Sequence, residues 1–337
     1  MPMHFLPETL WINILVLLGC LYILSKSADF LVDGAVGIAL RYNMPKMLIG
    51  IILVGFATTA PEFVVSLLSA VRGMPEIALG NAIGSVVADD ALALALGVVI
   101  APMVIKVDSR ILKTTGVFLI SIDVLAFGLS INGTISRYEG LFLVALLIAY
   151  LFMVIRSESK RKAAEKKAGE SAYESEVEEH DKAGKTGVQF ARFGGGVAGV
   201  VIASEFLIDS AVNIAHAARI PEVVIGLTII AIGTSLPEIA TCIVAARKGH
   251  GDLALGDIIG ADVLNILWII GMASIANPIS VDKQVIYFSF PAMIIVVGAM
   301  LLFCRMGYRL QKWKGYVLMG MYAVYITLTL ILFRGIV

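Results

Sequence analysis

The chain has 337 residues, 59% hydrophobic and 15% charged, with equal numbers of acidic and basic side chains. Soluble domains carry roughly 45–50% apolar and about 25% charged residues, so this composition excludes an ordinary soluble fold. A net charge of zero offers no electrostatic footprint for nucleic acid; the placement of the charges is more informative.

In chain order the apolar runs predict ten membrane spans, at about 9–40, 46–71, 75–101, 112–131, 138–155, 190–217, 221–246, 252–275, 284–304 and 314–335. The first run has no basic segment before it and no small-residue cleavage site after it, so it reads as a retained helix. One long polar stretch, Arg156 to Gly187, separates spans five and six and reads as a solvated linker, part of it helical. The expected organisation is therefore a first five-helix unit over 1–155, a polar linker over 156–189 and a second five-helix unit over 190–337.

Ten spans put the linker on one side and both termini on the other. The short loops on the linker side hold eleven Lys and Arg against five opposite. The excess predicts a cytoplasmic linker and both termini outside, in a plasma or inner membrane. Asn132-Gly133-Thr134 then falls on the outer side, where it is more simply a turn than a glycosylation sequon. Cys20, Cys242 and Cys304 lie in apolar segments without metal-ligand spacing, and the four histidines are scattered.

The strongest signal is an internal repeat. FLVDGAVGIAL from Phe30 returns as FLIDSAVNIAH from Phe206, 176 positions on, and the match continues ungapped for nearly seventy residues. Pro61-Glu62 meets Pro237-Glu238, and Gly80 and Gly84 meet Gly256 and Gly260. Five spans per copy make the second copy enter the membrane from the opposite face. The expected fold is an all-α polytopic membrane protein of ten transmembrane helices, arranged as two inverted five-helix repeats.

Both Pro-Glu motifs fall in mid-span, where a carboxylate is expensive and marks function by default. Proline has no N–H, so Pro61 frees the Ala57 carbonyl and Pro237 that of Gly233. Thr58 and Glu62, like Thr234 and Glu238, are four apart and are expected to share a helix face. Carboxylates, hydroxyls and carbonyls form an all-oxygen ligand set suited to hard cations such as calcium and sodium. In the following span, Ser85 and Asp89 are four apart, with Ala261 and Asn265 as repeat mates. The glycines at 80, 84, 256 and 260 read as close-packing positions. Asp90 and Asp262 lie one position off the matched face.

At these residues the sequence resembles the cation/calcium antiporter superfamily, specifically the prokaryotic-type sodium/calcium exchangers. The likeness covers both halves and not the linker. It implies ten helices, alternating access, and calcium moved against entering sodium. It implies that Glu62 and Glu238 ligate calcium and are shared with sodium. Thr58, Thr59, Thr234 and Ser235 hydroxyls, with the Ala57 and Gly233 carbonyls, complete the sites. Ser85, Asp89 and Asn265 take the adjoining positions. No cofactor is expected beyond the transported ions; the partners are calcium, monovalent cations and the lipid bilayer, with no obligatory protein partner.

Two departures bear on the coupling ion. ATTAPE stands where GTSLPE is usual, and Ala261 lacks a hydroxyl expected at a sodium site. The family's Asp–Asn pair is present as Asp89 and Asn265, with the copy bearing the acid exchanged. Glu62 and Glu238 alone neutralise a divalent cation, so Asp89 is expected to carry a proton or to balance a further monovalent ion. Proton- or potassium-coupled exchange is thus the alternative within transport. Outside it, Gly249-His250-Gly251-Asp252 has the GxGD form of an intramembrane aspartyl protease, but no Tyr is followed by Asp anywhere in the chain. The same ligands could also line a passive channel. No EF-hand loop is present.

Overall fold

The computed structural model describes residues 9–42, 44, 46–168, 186–217 and 231–332. Among them, eight helices are long and apolar enough to cross a membrane, and a bent pair makes a ninth. In chain order they are α1 (Leu10–Arg41), the bent pair α2 (Gly50–Thr58) and α3 (Ala60–Val71), α4 (Pro75–Ile100), α5 (Leu112–Ser130) and α6 (Arg137–Ala168). Then follow α7 (Thr186–Ala217), α8 (Ala231–Thr234), α9 (Leu236–Arg247), α10 (Gly251–Ala276), α11 (Val285–Arg305) and α12 (Lys312–Leu332). Of the span expected at 221–246, residues 221–230 lie outside the described residues; α8 and α9 are its remainder.

The helix α6 has 32 residues. At about 1.5 Å per residue it outruns a hydrocarbon core of about 30 Å. The first part of the polar linker, to Ala168, is accordingly a continuation of that helix. Linker residues 169–185 lie outside the described residues.

Burial sorts the helices. The most apolar stretch of α10 is 83% buried and that of α4 72%, whereas α6 and α12 reach only 22% and 17%. The helices α4 and α10 therefore form the centre, and the outer helices turn large side chains such as Phe152, Ile148 and Val324 outward. An apolar outer surface is what a lipid environment requires.

Equivalent helices run antiparallel. Between α1 and α7, Asn213 Nδ2 donates to Asn13 Oδ1 at 3.1 Å. Farther along, Gly199 lies on Ser27, Gly196 on Leu31, and Gly34 on the Phe193 backbone. One index falls as the other rises. The absent side chains at Gly34 and Gly196 allow this near-backbone contact. Likewise Gly260 sits against the Ile51 carbonyl and Gly50 against that of Leu253, bringing α2 onto α10. The repeat equivalent of that second crossing falls largely on residues 221–230, outside the described residues.

Two short ladders repeat the relation. Strand β1 (Ile105–Lys106), before α5, pairs antiparallel with β4 (Arg309–Leu310), after α11. Strand β2 (Thr134–Ile135), after α5, pairs with β3 (Ile279–Ser280), before α11. The start of each helix is thus tied to the end of the other, so α5 and α11 point in opposite directions. Lys314 closes the end of α11. It is 3% exposed, and its ammonium donates to the carbonyls of Phe303 (2.7 Å), Met306 (2.9 Å) and Arg309 (2.7 Å). A cation suits the negative end of a helix dipole, and three acceptors match its three N–H bonds.

Two outcomes are expected from thermal melts in detergent. Gly196→Ala forces a Cβ onto the Leu31 backbone and lowers stability by about 1–3 kcal/mol. The neighbouring Gly195→Ala, which meets nothing within 4 Å, does not. Lys314→Met strips three carbonyls of their donor and destabilises by roughly 2 kcal/mol or more.

Candidate cation centre

Each Pro-Glu motif breaks its helix. The chain leaves α2 at Thr59 (ψ −2°) and resumes as α3 after a bend of 52°. In the second copy the break is at Ser235, with φ −84° and ψ 8°. Pro61 and Pro237 cause it: each lacks a donor and each is suited to the first turn of the segment it opens. The break leaves Glu62 and Glu238 in the first turn of α3 and α9, where backbone N–H groups and the helix dipole favour a carboxylate.

The break corrects one expectation. Thr58 and Glu62 would share a face only on an unbroken helix. The Thr58 hydroxyl instead lies 3.1 Å from the Val54 carbonyl and 3.1 Å from Asp257 Oδ1. Thr59 reaches the glutamate of the other copy: its hydroxyl donates to Glu238 Oε1 at 3.4 Å. Ser235, the mate of Thr59, is fully buried with an unpartnered hydroxyl, so this bond is made on one side only.

Asp257 and its repeat mate Asn81 went unnoticed in the sequence, and the structure places both at the breaks. Asp257 takes the Thr58 hydroxyl on Oδ1 and the Thr241 hydroxyl on Oδ2 at 2.7 Å, joining α2 to α9. Asn81 accepts from Thr234 at 3.2 Å and donates to Ser66 at 3.0 Å, joining α8 to α3. Each residue of the central helices therefore bridges the two broken ones. The signal was present: a polar residue follows the matched glycine in both copies, Gly80-Asn81 and Gly256-Asp257, within apolar spans.

Ser85, Asp89 and Asn265 come together on the central helices. Asn265 Nδ2 donates to Asp89 Oδ2 at 3.5 Å, so repeat mates meet across the centre. Both residues open a π-helical turn, Asp89–Leu94 in α4 and Asn265–Ile270 in α10, again 176 positions apart. Such turns commonly mark functional sites. Ala261 is fully buried and puts a methyl group where Ser85 has a hydroxyl. The indole of Trp268, in the same π-helical turn as Asn265, is stacked on Phe63 at 3.8 Å and tilted against Phe56 at 5.2 Å.

Glu62 and Glu238 are each 1% exposed. Both oxygens of Glu62, Glu238 Oε2, Asp89 Oδ1, Asn265 Oδ1 and the Ser85 hydroxyl have no hydrogen-bond partner among the described residues. Buried polar atoms are ordinarily satisfied, so this group of oxygens is arranged for something other than the protein itself. No three acids, histidines or cysteines among the described residues converge as metal ligands. An ion here would be held by one or two carboxylates with hydroxyl, amide and carbonyl oxygens. Ala57 and Gly233 stand just before the two breaks, each four residues ahead of a proline that has no N–H to give its carbonyl.

Comparison with known proteins agrees with this geometry. The family described as "Sodium/calcium exchanger protein" matches residues 12–156 and 188–331, once in each half. The chain is 31% identical to the inner membrane protein YrbG of Escherichia coli, over 86% of this chain and 87% of that protein. It is 29% identical to the sodium/calcium exchanger MaX1 of Methanosarcina acetivorans, over 94% and 97% of the two chains. Among solved structures it superposes on the sodium-calcium exchanger NCX_Mj with a TM-score of 0.80 and 25% identity, covering 95% of this chain and 99% of that one. This integral membrane protein belongs to the sodium/calcium exchanger family.

Proposed function

We propose that the chain is a secondary active antiporter that exchanges calcium for sodium by alternating access. The observation that carries the reading is the pair of buried glutamates, Glu62 and Glu238, each at a proline-broken helix and each with an unpartnered carboxylate oxygen. Two such acids balance one divalent cation. A broken helix turns its free backbone groups towards the same point, the arrangement by which transporters bind ions at midplane. The antiparallel run of α1 with α7 and of α5 with α11 supports an inverted pair of five-helix repeats, ten spans in all, over 1–155 and 190–337. The Lys and Arg bias supports a cytoplasmic linker with both termini outside.

In this reading Glu62 and Glu238 bind calcium and release it to sodium. Thr59, Ser235, Ser85, Asp89 and Asn265 add oxygen ligands, as do the Ala57 and Gly233 carbonyls. Thr58 and Thr234 act partly through Asp257 and Asn81, which hold the broken helices at a fixed separation. A second reading, proton- or potassium-coupled calcium exchange, is favoured by one feature: Ala261 lacks the hydroxyl that its mate Ser85 offers, while Asp89 and Asp257 bring the buried acids of the centre to four.

Calcium uptake into proteoliposomes under sodium, proton and potassium gradients, imposed one at a time, separates these. Uptake driven by sodium alone is expected. Uptake that follows only protons or potassium replaces the first reading with the second, and uptake with no counter-ion gradient or exchange partner indicates a channel. Glu62→Gln and Glu238→Gln are each expected to reduce uptake on the order of a hundredfold, the scale for losing one charge of a buried charge pairing. Asp257→Asn removes a charge while keeping the shape of the Thr58–Thr241 bridge. It is expected to raise the calcium concentration for half-maximal uptake about tenfold, equivalent to about 1.4 kcal/mol.

A further inference from the structure

The rims of the bundle carry a second feature that the repeat duplicates. The turn between α9 and α10 is Lys248-Gly249, and its mate between α3 and α4 is Arg72-Gly73. Both turns have the same backbone. The φ angle is −78° at Lys248 and −79° at Arg72, and +81° and +87° at the two glycines, a left-handed conformation that favours glycine. The turns lie at opposite rims. Gly251, just past the first, sits on Ile105 of β1. Ala70, just before the second, accepts at 3.4 Å from Asn277 Nδ2, just past the other end of α10.

One of the two turns is latched. The Lys248 ammonium lies 2.7 Å from Asp33 Oδ1 and 3.3 Å from Asp29 Oδ1, and it donates to the Asp29 carbonyl at 3.1 Å. It thereby ties α1 to the end of α9. The repeat mates of Asp29 and Asp33 are Glu205 and Asp209 on α7, so the second copy keeps the sign of all three charges. There the Arg72 side chain is exposed and makes no ion pair among the described residues. The helices α1 and α7 pack at backbone distance through Gly34 and Gly196 and so form one unit. Lys248 fastens that unit to the bundle at one rim, and Arg72 does not fasten it at the other.

We propose that these are alternating ionic latches of the transport cycle. Lys248 with Asp29 and Asp33 is closed in this structure, and Arg72 with Glu205 and Asp209 closes in the state open to the other rim. Matching turns in opposite conditions are what two exchangeable states of an inverted repeat require. All six are positioning residues: they act on where α1 and α7 sit, not on the ion. The latch is weak. An exposed ion pair shifts an equilibrium only about two- to fivefold, and the Lys248 side chain is 29% exposed. A carrier leaves each state on every cycle, so a latch of this strength biases the exchange without trapping it. The assignment rests on the antiport reading and deepens it, because it names what holds each state.

The test is the calcium concentration for half-maximal exchange, measured at each face in membrane vesicles of the two orientations. Lys248→Gln is expected to lower it at the face of the α9–α10 turn and raise it at the other. The shift is up to about fivefold, since apparent affinity scales with the share of molecules open to that face. Arg72→Gln is expected to do the reverse. The exchanged pair, Lys248→Asp with Asp33→Lys, is expected to restore the wild-type ratio of the two faces, which a merely structural role would not. No shift, equal shifts at both faces, shifts of the same sense in both variants, or no recovery in the exchanged pair overturns the proposal. A second measurement needs no transport. Lys248→Cys with Asp33→Cys, and Arg72→Cys with Glu205→Cys, are oxidised to disulfides, the native cysteines being buried. In the four-cysteine chain, closing one pair is expected to prevent the other, and both closing in one molecule overturns the proposal. Failure of the antiport reading shows separately, as calcium exchange absent from the wild type while the two cross-links remain mutually exclusive.

Discussion

A carboxylate at membrane depth needs either a partner or an ion, and the centre of this protein is organised around acids that have too few partners. The prolines place Glu62 and Glu238 at the start of a helical segment, where N–H groups point towards them. The central helices then bring Asp257 and Asn81 against the broken ones. Neither bridge involves a full ion pair. The Asp257 bridge uses two threonine hydroxyls and the Asn81 bridge hydroxyl and amide groups, which hold the broken helices without neutralising the acids. The negative charge therefore stays available at a position that packing has already set.

The fold was legible in the sequence because two strong signals agreed. Long apolar runs bounded the spans, and the 176-residue offset related them. The same offset reappears where no residue pattern announced it, in π-helical turns that begin at Asp89 and Asn265. A π-helical turn depends on how the helix packs, so neither apolar periodicity nor residue type encodes it locally. The extension of α6 into the polar linker was open for a related reason: Lys, Glu and Ala are good helix formers, and composition alone does not separate a solvated helix from a solvated coil.

The site was legible in its acids and less so in its hydrogen bonds. Glu62, Glu238 and Asp89 are conspicuous because charge is rare in an apolar span. The direction of Thr58 was not, because the i, i+4 rule assumes an unbroken helix and the proline that made the motif noticeable also removed that assumption. Asn81 and Asp257 were passed over beside glycines that drew attention for their packing. In each case the residue type was legible, while its partner depended on the helix of the opposite copy. Thr59 with Glu238 and Asn265 with Asp89 are contacts of that kind.

The two ladders have a mechanical consequence. They join the same two helices, α5 and α11, near their opposite ends, and each joint is two residues wide on either strand. Two fixed points on a rigid pair define an axis. Sliding one of these helices along the other would break both joints at once, whereas swinging the remaining helices around the axis would break neither. The two joints thus draw a line from one rim of the bundle to the other along which α5 and α11 are held in register.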